Sequence, residues 1–272
     1  MIRNFDELLA AAAAAGKRRA LVVAPENSET FEAIAQARHT LGLEFVLTAS
    51  VDEAMELVAG GGIDILMKGS VDTATLMKSA LKPETGLRTG RLLSDVFIFQ
   101  YEARTENKLV MITDGGLSIA PDLAAKVELI RNAVEVAHAL GNACPKVAAL
   151  SATEFVQPNM PSTVDAARLA QMNAAGEIAG CVVEGPLALD GALVPRAAQE
   201  KGIASSVAGA AEILLCPNIE SANMLAKSTT YIGNARLAHV IVGARIPILI
   251  PSRADRSEAK VLSLALGMLM TR

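Results

Sequence analysis

The sequence predicts an α/β protein with mostly parallel sheets and flanking helices, on three observations. Apolar runs of strand length alternate with amphipathic helical stretches along the chain, the rhythm of β-α units. Hydrophobic residues make up 51% of the sequence while aromatics make up 3% and tryptophan is absent. The core is therefore built from Ala, Val, Leu, Ile and Met, as in sheets covered by helices. Finally, 272 residues exceed the usual single core of roughly 100–200 residues, which favours two domains over one.

The strand-length runs are residues 20–24, 45–48, 63–67, 96–101, 109–113, 146–151, 180–183, 212–216, 240–242 and 246–250. The alanine-rich stretch 10–15 is too short and too weakly apolar for a signal peptide and reads as part of a first helix. Residues 124–140 form the clearest helical pattern: Val127, Ile130, Val134 and Ala137 recur at helical spacing, with Lys126, Glu128, Arg131 and Glu135 elsewhere, and Gly141 stands where the helix should stop. No proline- or glycine-rich linker separates two halves.

Charge and composition exclude several classes. A net charge of −4 with both signs interspersed offers no basic face to nucleic acid or to an anionic membrane. No apolar stretch reaches the roughly 20 residues of a membrane span, since 240–250 is interrupted by Gly243, Arg245 and Pro247. A cytoplasmic protein is expected. Cys144, Cys181 and Cys216 are widely spaced beside or within apolar runs, without metal-site spacing, and are expected to be buried core thiols. His39 and His138 fall in helical patterns and His239 precedes an apolar strand, with no GxSxG elbow, so a Ser-His-Asp triad is not supported. Walker, GxGxxG and HExxH patterns are absent as well.

Four stretches could carry chemistry. In Met67-Lys68-Gly69-Ser70-Val71-Asp72-Thr73 a buried-type strand meets a small polar turn before a helix. Ser70, Asp72 or Thr73 could cap that helix, or its free amides, with Lys68, could hold a phosphoryl or carboxylate group. Gly86-Leu87-Arg88-Thr89-Gly90-Arg91 carries either solvated arginines or a guanidinium fork for phosphate. The stretch 227–235 contains Tyr231, a surface aromatic or a hydroxyl donor in a cleft. In Pro251-Ser252-Arg253-Ala254-Asp255 the chain leaves a strand and enters a helix. There Ser252 or Asp255 is a good N-cap, or the turn binds a ligand at a strand's carboxyl end.

In order, Ile65-Leu66-Met67-Lys68-Gly69, Gly86-Leu87-Arg88-Thr89-Gly90, Thr113-Asp114-Gly115-Gly116, residues 145–151, Asp190-Gly191-Ala192, Tyr231-Ile232-Gly233-Asn234-Ala235 and Ser252-Arg253-Ala254-Asp255 resemble the phosphate acetyl/butyryltransferase family. The Ser-Arg-Ala-Asp form is similar to its butyryltransferase branch. The resemblance implies a two-domain fold like that of isocitrate and isopropylmalate dehydrogenases, with an interdomain cleft. Residues 1–93 and 236–272 would form the first domain and 94–235 the second. It also implies a homodimer that moves a short acyl group, in the acetyl to butyryl range, reversibly between coenzyme A and phosphate. Coenzyme A would be a substrate, with no metal or redox cofactor. Ser252 would stabilise the transition state and Arg253 hold the phosphate, aided by Arg88, Ser70 and Lys68 and by Tyr231. The acetyltransferase pattern places an aspartate seven residues after the serine as the thiol base, and here that residue is Ala259. Asp255 is the preferred substitute, with Glu258 or no base as alternatives. Two other readings remain: a non-catalytic binder of coenzyme A or acyl phosphate, motivated by Ala259, and a hydroxyacid dehydrogenase, which would need a metal-binding aspartate cluster that the sequence lacks.

Overall fold

The structure is a computed structural model that describes residues 1–102 and 107–271. The chain forms two compact units. One comprises Ile2–Leu93 and the chain from Arg236 onward; the other is Ser94–Ala235 with Met1.

The first unit contains α1 (Phe5–Ala14), β1 (Arg19–Val23), α2 (Ser28–Leu41), β2 (Glu44–Thr48), α3 (Val51–Ala59), β3 (Ile65–Lys68) and α4 (Thr73–Ala80). The second contains β4 (Ser94–Glu102), β5 (Asn107–Thr113), α5 (Leu123–Ala139), β6 (Lys146–Leu150), α6 (Pro161–Ala174), β7 (Val182–Leu187), α7 (Leu189–Leu193), α8 (Pro195–Glu200), β8 (Ile213–Leu215) and α9 (Ile219–Tyr231). The chain then returns to the first unit with β9 (Leu237–Val242), β10 (Ile248–Leu249) and α10 (Ser257–Met270).

In the first unit the strand order is β2-β1-β3-β10-β9, parallel except for the β9–β10 hairpin. In the second it is β4-β5-β8-β6-β7, parallel except for β4 against β5. The α/β class and the mostly parallel pairing expected from the sequence are both present, and each of the ten apolar runs overlaps a strand. The antiparallel pairs are what alternation of apolar runs could not show. β10 shrinks to two residues because it is bracketed by Pro247 and Pro251, which have no N–H for the ladder.

Burial explains why these strands read as continuous apolar runs. All residues of β3 and β9 are buried, as are Ala20–Val23 of β1, because helices cover the sheet. α10 packs against α1, α2 and β9 and is buried almost all round, from Lys260 to Met268. The helix expected over 124–140 is α5, capped by the Asp122 carboxylate, which accepts the Ala125 amide at 2.8 Å, and followed by Gly141 at φ 80°.

Two of the three cysteines are core thiols. Burial pushes the Cys181 thiol up to about 11 and the Cys216 thiol up to about 12. Cys144 is exposed, contrary to expectation, because it sits in the loop between α5 and β6, before the chain enters the sheet. Among the described residues no helix is long and apolar enough to cross a membrane, and no group of His, Cys, Asp or Glu could hold a metal ion.

Candidate active site

The first unit brings three parallel strands side by side, β1, β3 and β10, and their carboxyl ends open on one edge of the sheet. The register pairs Val23 with Lys68 and Met67 with Leu249. Three short turns therefore leave the sheet together: Ala24-Pro25, Gly69-Ser70 and Pro251-Ser252. This is where open α/β sheets form ligand crevices.

The first two turns touch through their backbones. The Gly69 amide donates to the Val23 carbonyl at 2.8 Å and the Ser70 amide to the Ala24 carbonyl at 2.7 Å. A Cβ on Gly69 would stand 2.1 Å from the Ala24 carbonyl oxygen, so only glycine fits. Ala24 itself takes a left-handed φ of 52° to present that carbonyl.

Of the three candidate caps for α4, Asp72 is the one used, its carboxylate accepting the Thr75 amide at 2.8 Å. Ser70 is left free of capping, and its carbonyl accepts from the Arg253 guanidinium, Nη2, at 3.0 Å. Arg253 is thus fixed by one nitrogen while the side chain as a whole stays exposed.

The Ser252 turn is not a helix cap. The Ser252 amide donates to Asp255 Oδ2 at 2.7 Å, the Asp255 amide returns to the Ser252 carbonyl at 3.1 Å, and the Ala254 amide reaches Ser252 Oγ at 3.3 Å. α10 begins later, at Ser257, with no side-chain bond from its N-cap Arg256; Glu29 of α2 accepts the Ser257 amide at 2.5 Å instead. Of the two readings of this turn, the helix cap is not the one observed, because the Asp255 carboxylate closes its own turn. That leaves Ser252 and Arg253 exposed beside these strand ends.

Lys68 lies at the floor of this edge, 5% exposed, with Nζ 3.3 Å from the Gly69 carbonyl. Burial holds its ammonium below the ordinary lysine range. The positive charges of Arg253 and Lys260 push the same way, while Asp255 and Asp72 oppose them. Lys260 was not singled out by sequence reasoning. It is 1% exposed, donates from Nζ to the Asp255 carbonyl, and is likewise held down by burial, with Asp255 and Glu29 opposing. Its signal was present: a lysine four residues before Leu264 on the apolar stripe of α10.

Three cations, Lys68, Arg253 and Lys260, therefore converge on one sheet edge. The carboxylates beside them are each engaged by a backbone amide: Asp72 with Thr75, Asp255 with Ser252, and Glu29 with Ser257. Such an arrangement favours an anion, and the exposed Ser252 hydroxyl adds a neutral donor.

The backbone of Arg88 joins the β9–β10 turn rather than the turns at Ser70 and Ser252. It bridges to Ala244, the Arg245 amide donates to the Leu87 carbonyl at 2.9 Å, and Arg245 Nη2 reaches the Val58 carbonyl in α3 at 3.1 Å. Ala244 and Arg245 lie in the β9–β10 turn, so this loop is anchored at the amino end of β10. The cause is α4 and the short 3-10 turn Pro83–Thr85, which carry the chain back across the sheet before Gly86. Tyr231 belongs to the other unit, at the end of α9. It is exposed, with Lys227 Nζ 6.0 Å from its ring centroid. Ala259 lies half-buried beside Lys260 in the first turn of α10.

Residues 23–268 match the family described as phosphate acetyl/butaryl transferase. The chain belongs to this family. It is 40% identical over 299 residues to the phosphate butyryltransferase of Clostridium beijerinckii, covering 99% of this chain and 98% of that protein. It is also 44% identical over 214 residues to the phosphate acetyltransferase of Thermotoga maritima, covering 79% and 72%. The crystal structure of a branched-chain phosphotransacylase from Enterococcus faecalis V583 superposes with a TM-score of 0.85 at 32% identity, over 93% of this chain and 98% of that one. As a member of this family, the chain is an acyltransferase that moves an acyl group reversibly between coenzyme A and phosphate.

Proposed function

We propose that the crevice at the carboxyl ends of β3 and β10 is the phosphate side of this reaction. Arg253 and Lys68 hold the phosphoryl oxygens, with Ser70 fixing the guanidinium through its carbonyl. The observation that supports this most directly is the Arg253–Ser70 bond beside the buried Lys68 ammonium. The Ser252 hydroxyl donates to the carbonyl oxygen as it becomes an oxyanion. In the direction that consumes acyl phosphate, the thiolate sulfur of coenzyme A attacks the acyl carbon. A C–S bond forms, the C–O bond to phosphorus breaks, and phosphate leaves with the electron pair. Asp255 already orients Ser252 through Oδ2, and its other oxygen is assigned the thiol proton, a role Ala259 cannot fill. Arg88 is left out of the phosphate set.

The same reading treats coenzyme A as a substrate and needs no metal or redox cofactor. It takes the enzyme to be a cytoplasmic homodimer that acts without nucleic acid or membrane. A preference for butyryl-like chains follows the similarity to phosphate butyryltransferases, although one methylene is worth only about 1–3 kcal/mol of pocket contact.

The test supplies coenzyme A with acetyl, propionyl, butyryl and isobutyryl phosphate in turn and follows loss of free thiol. Turnover is expected, greatest with the four-carbon substrates. Coenzyme A binding with no turnover on any of the four would instead make the chain a non-catalytic binder.

A further inference from the structure

A buried lysine in an otherwise apolar helix needs compensation, because an ammonium removed from water is costly unless it is paired and hydrogen-bonded. For Lys260 every compensating group belongs to the turn or to what ties it down. Nζ donates to the Asp255 carbonyl. The Asp255 carboxylate holds the Ser252 amide, and Glu29 holds the first amide of α10. Asp255 and Glu29 are also the two negative charges that oppose the effect of burial on Lys260. The turn has little apolar surface of its own, since Ser252, Arg253 and Ala254 are all exposed. Its position therefore depends on these polar tethers.

We propose that Lys260 is a positioning residue for acyl transfer: its ammonium clamps the Ser252–Asp255 turn through the Asp255 carbonyl and so fixes where Ser252 and Arg253 meet the acyl phosphate. This rests on the phosphate reading above. Lys260→Met keeps much of the length of the side chain and removes the donor, and the carboxylates it leaves behind, Asp255 and Glu29, each still accept a backbone amide. The variant is expected to lose about 10- to 100-fold in kcat/KM for acyl phosphate, of the order seen when groups that orient a reacting pair are displaced. KM for coenzyme A is expected to stay near the wild-type value, and Lys260→Arg to recover part of the loss.

A second readout does not depend on activity. Amide hydrogen exchange at Ser252 and Asp255 is expected to quicken in Lys260→Met and less so in Lys260→Arg. Where Lys260→Met fails to fold, Lys260→Gln, which keeps a donor but loses reach, carries the same two measurements. Unchanged exchange in a folded variant overturns the clamp whatever the substrate proves to be. Unchanged acyl-phosphate kinetics overturns its link to catalysis. A loosened turn in an enzyme that uses no acyl phosphate would instead count against the phosphate reading alone.

Discussion

Arg253→Ala is expected to lower kcat/KM for acyl phosphate by about 10²–10³-fold, the range found when one preorganised donor to developing charge is removed. The guanidinium is exposed and makes its described bond to a single carbonyl, that of Ser70. Stability should therefore move by no more than about 0.5 kcal/mol, as for surface substitutions generally. Steady-state kinetics and thermal unfolding on the same preparation separate the two effects. Arg253→Lys is expected to recover little, because an ammonium cannot bond Ser70 and a phosphate oxygen through a planar fork. Full activity in Arg253→Ala would remove Arg253 from the phosphate site.

Gly69→Ala is expected to have the largest effect on the fold near the site. The added methyl would meet the Ala24 carbonyl oxygen at 2.1 Å and the Val23 carbonyl oxygen at 2.6 Å, and both are backbone atoms of an adjacent, hydrogen-bonded strand end. Neither can step aside without breaking the hydrogen bonds that the Gly69 and Ser70 amides donate across the two turns. Overpacking of this kind costs about 3 kcal/mol, to be read as a lowered urea midpoint at an unchanged slope. Activity should fall with it, since Lys68 and Ser70 flank the glycine. A variant as stable as the wild type would mean that the β1 and β3 turns do not meet as described.

Most of the fold was legible because helix-covered parallel strands carry their signature in composition. β3 and β9 are buried on both faces and so appear as unbroken apolar runs. The stop of α5 at Gly141 was legible and so, as one of three choices, was the cap at Asp72, where a carboxylate precedes a helical pattern. The grouping of the candidate residues was legible in part. Lys68, Ser70, Arg253 and Asp255 lie at strand ends, and parallel pairing brings those ends together. Where the Arg88 loop lies was not legible, because a loop's residues reveal its chemistry but not the part of the sheet to which a preceding helix returns it. Asp255 fitted a cap spacing, yet a carboxylate three residues from Ser252 can equally close a turn, and Glu29 on α2 takes the first amide of α10 instead. Lys260 was passed over because lysine on a helix usually faces solvent. Only the packing of α10 against α1, α2 and β9 shows that this one does not.

The claim on which the rest depends is that phosphate binds at the carboxyl ends of β3 and β10. A crystal structure of the protein grown with inorganic phosphate tests it directly. A tetrahedral anion bonded to Arg253 and Lys68, within reach of the Ser252 hydroxyl, is the expected result. An anion held by Arg88 beside the β9–β10 turn, with the Arg253 crevice empty, would contradict it.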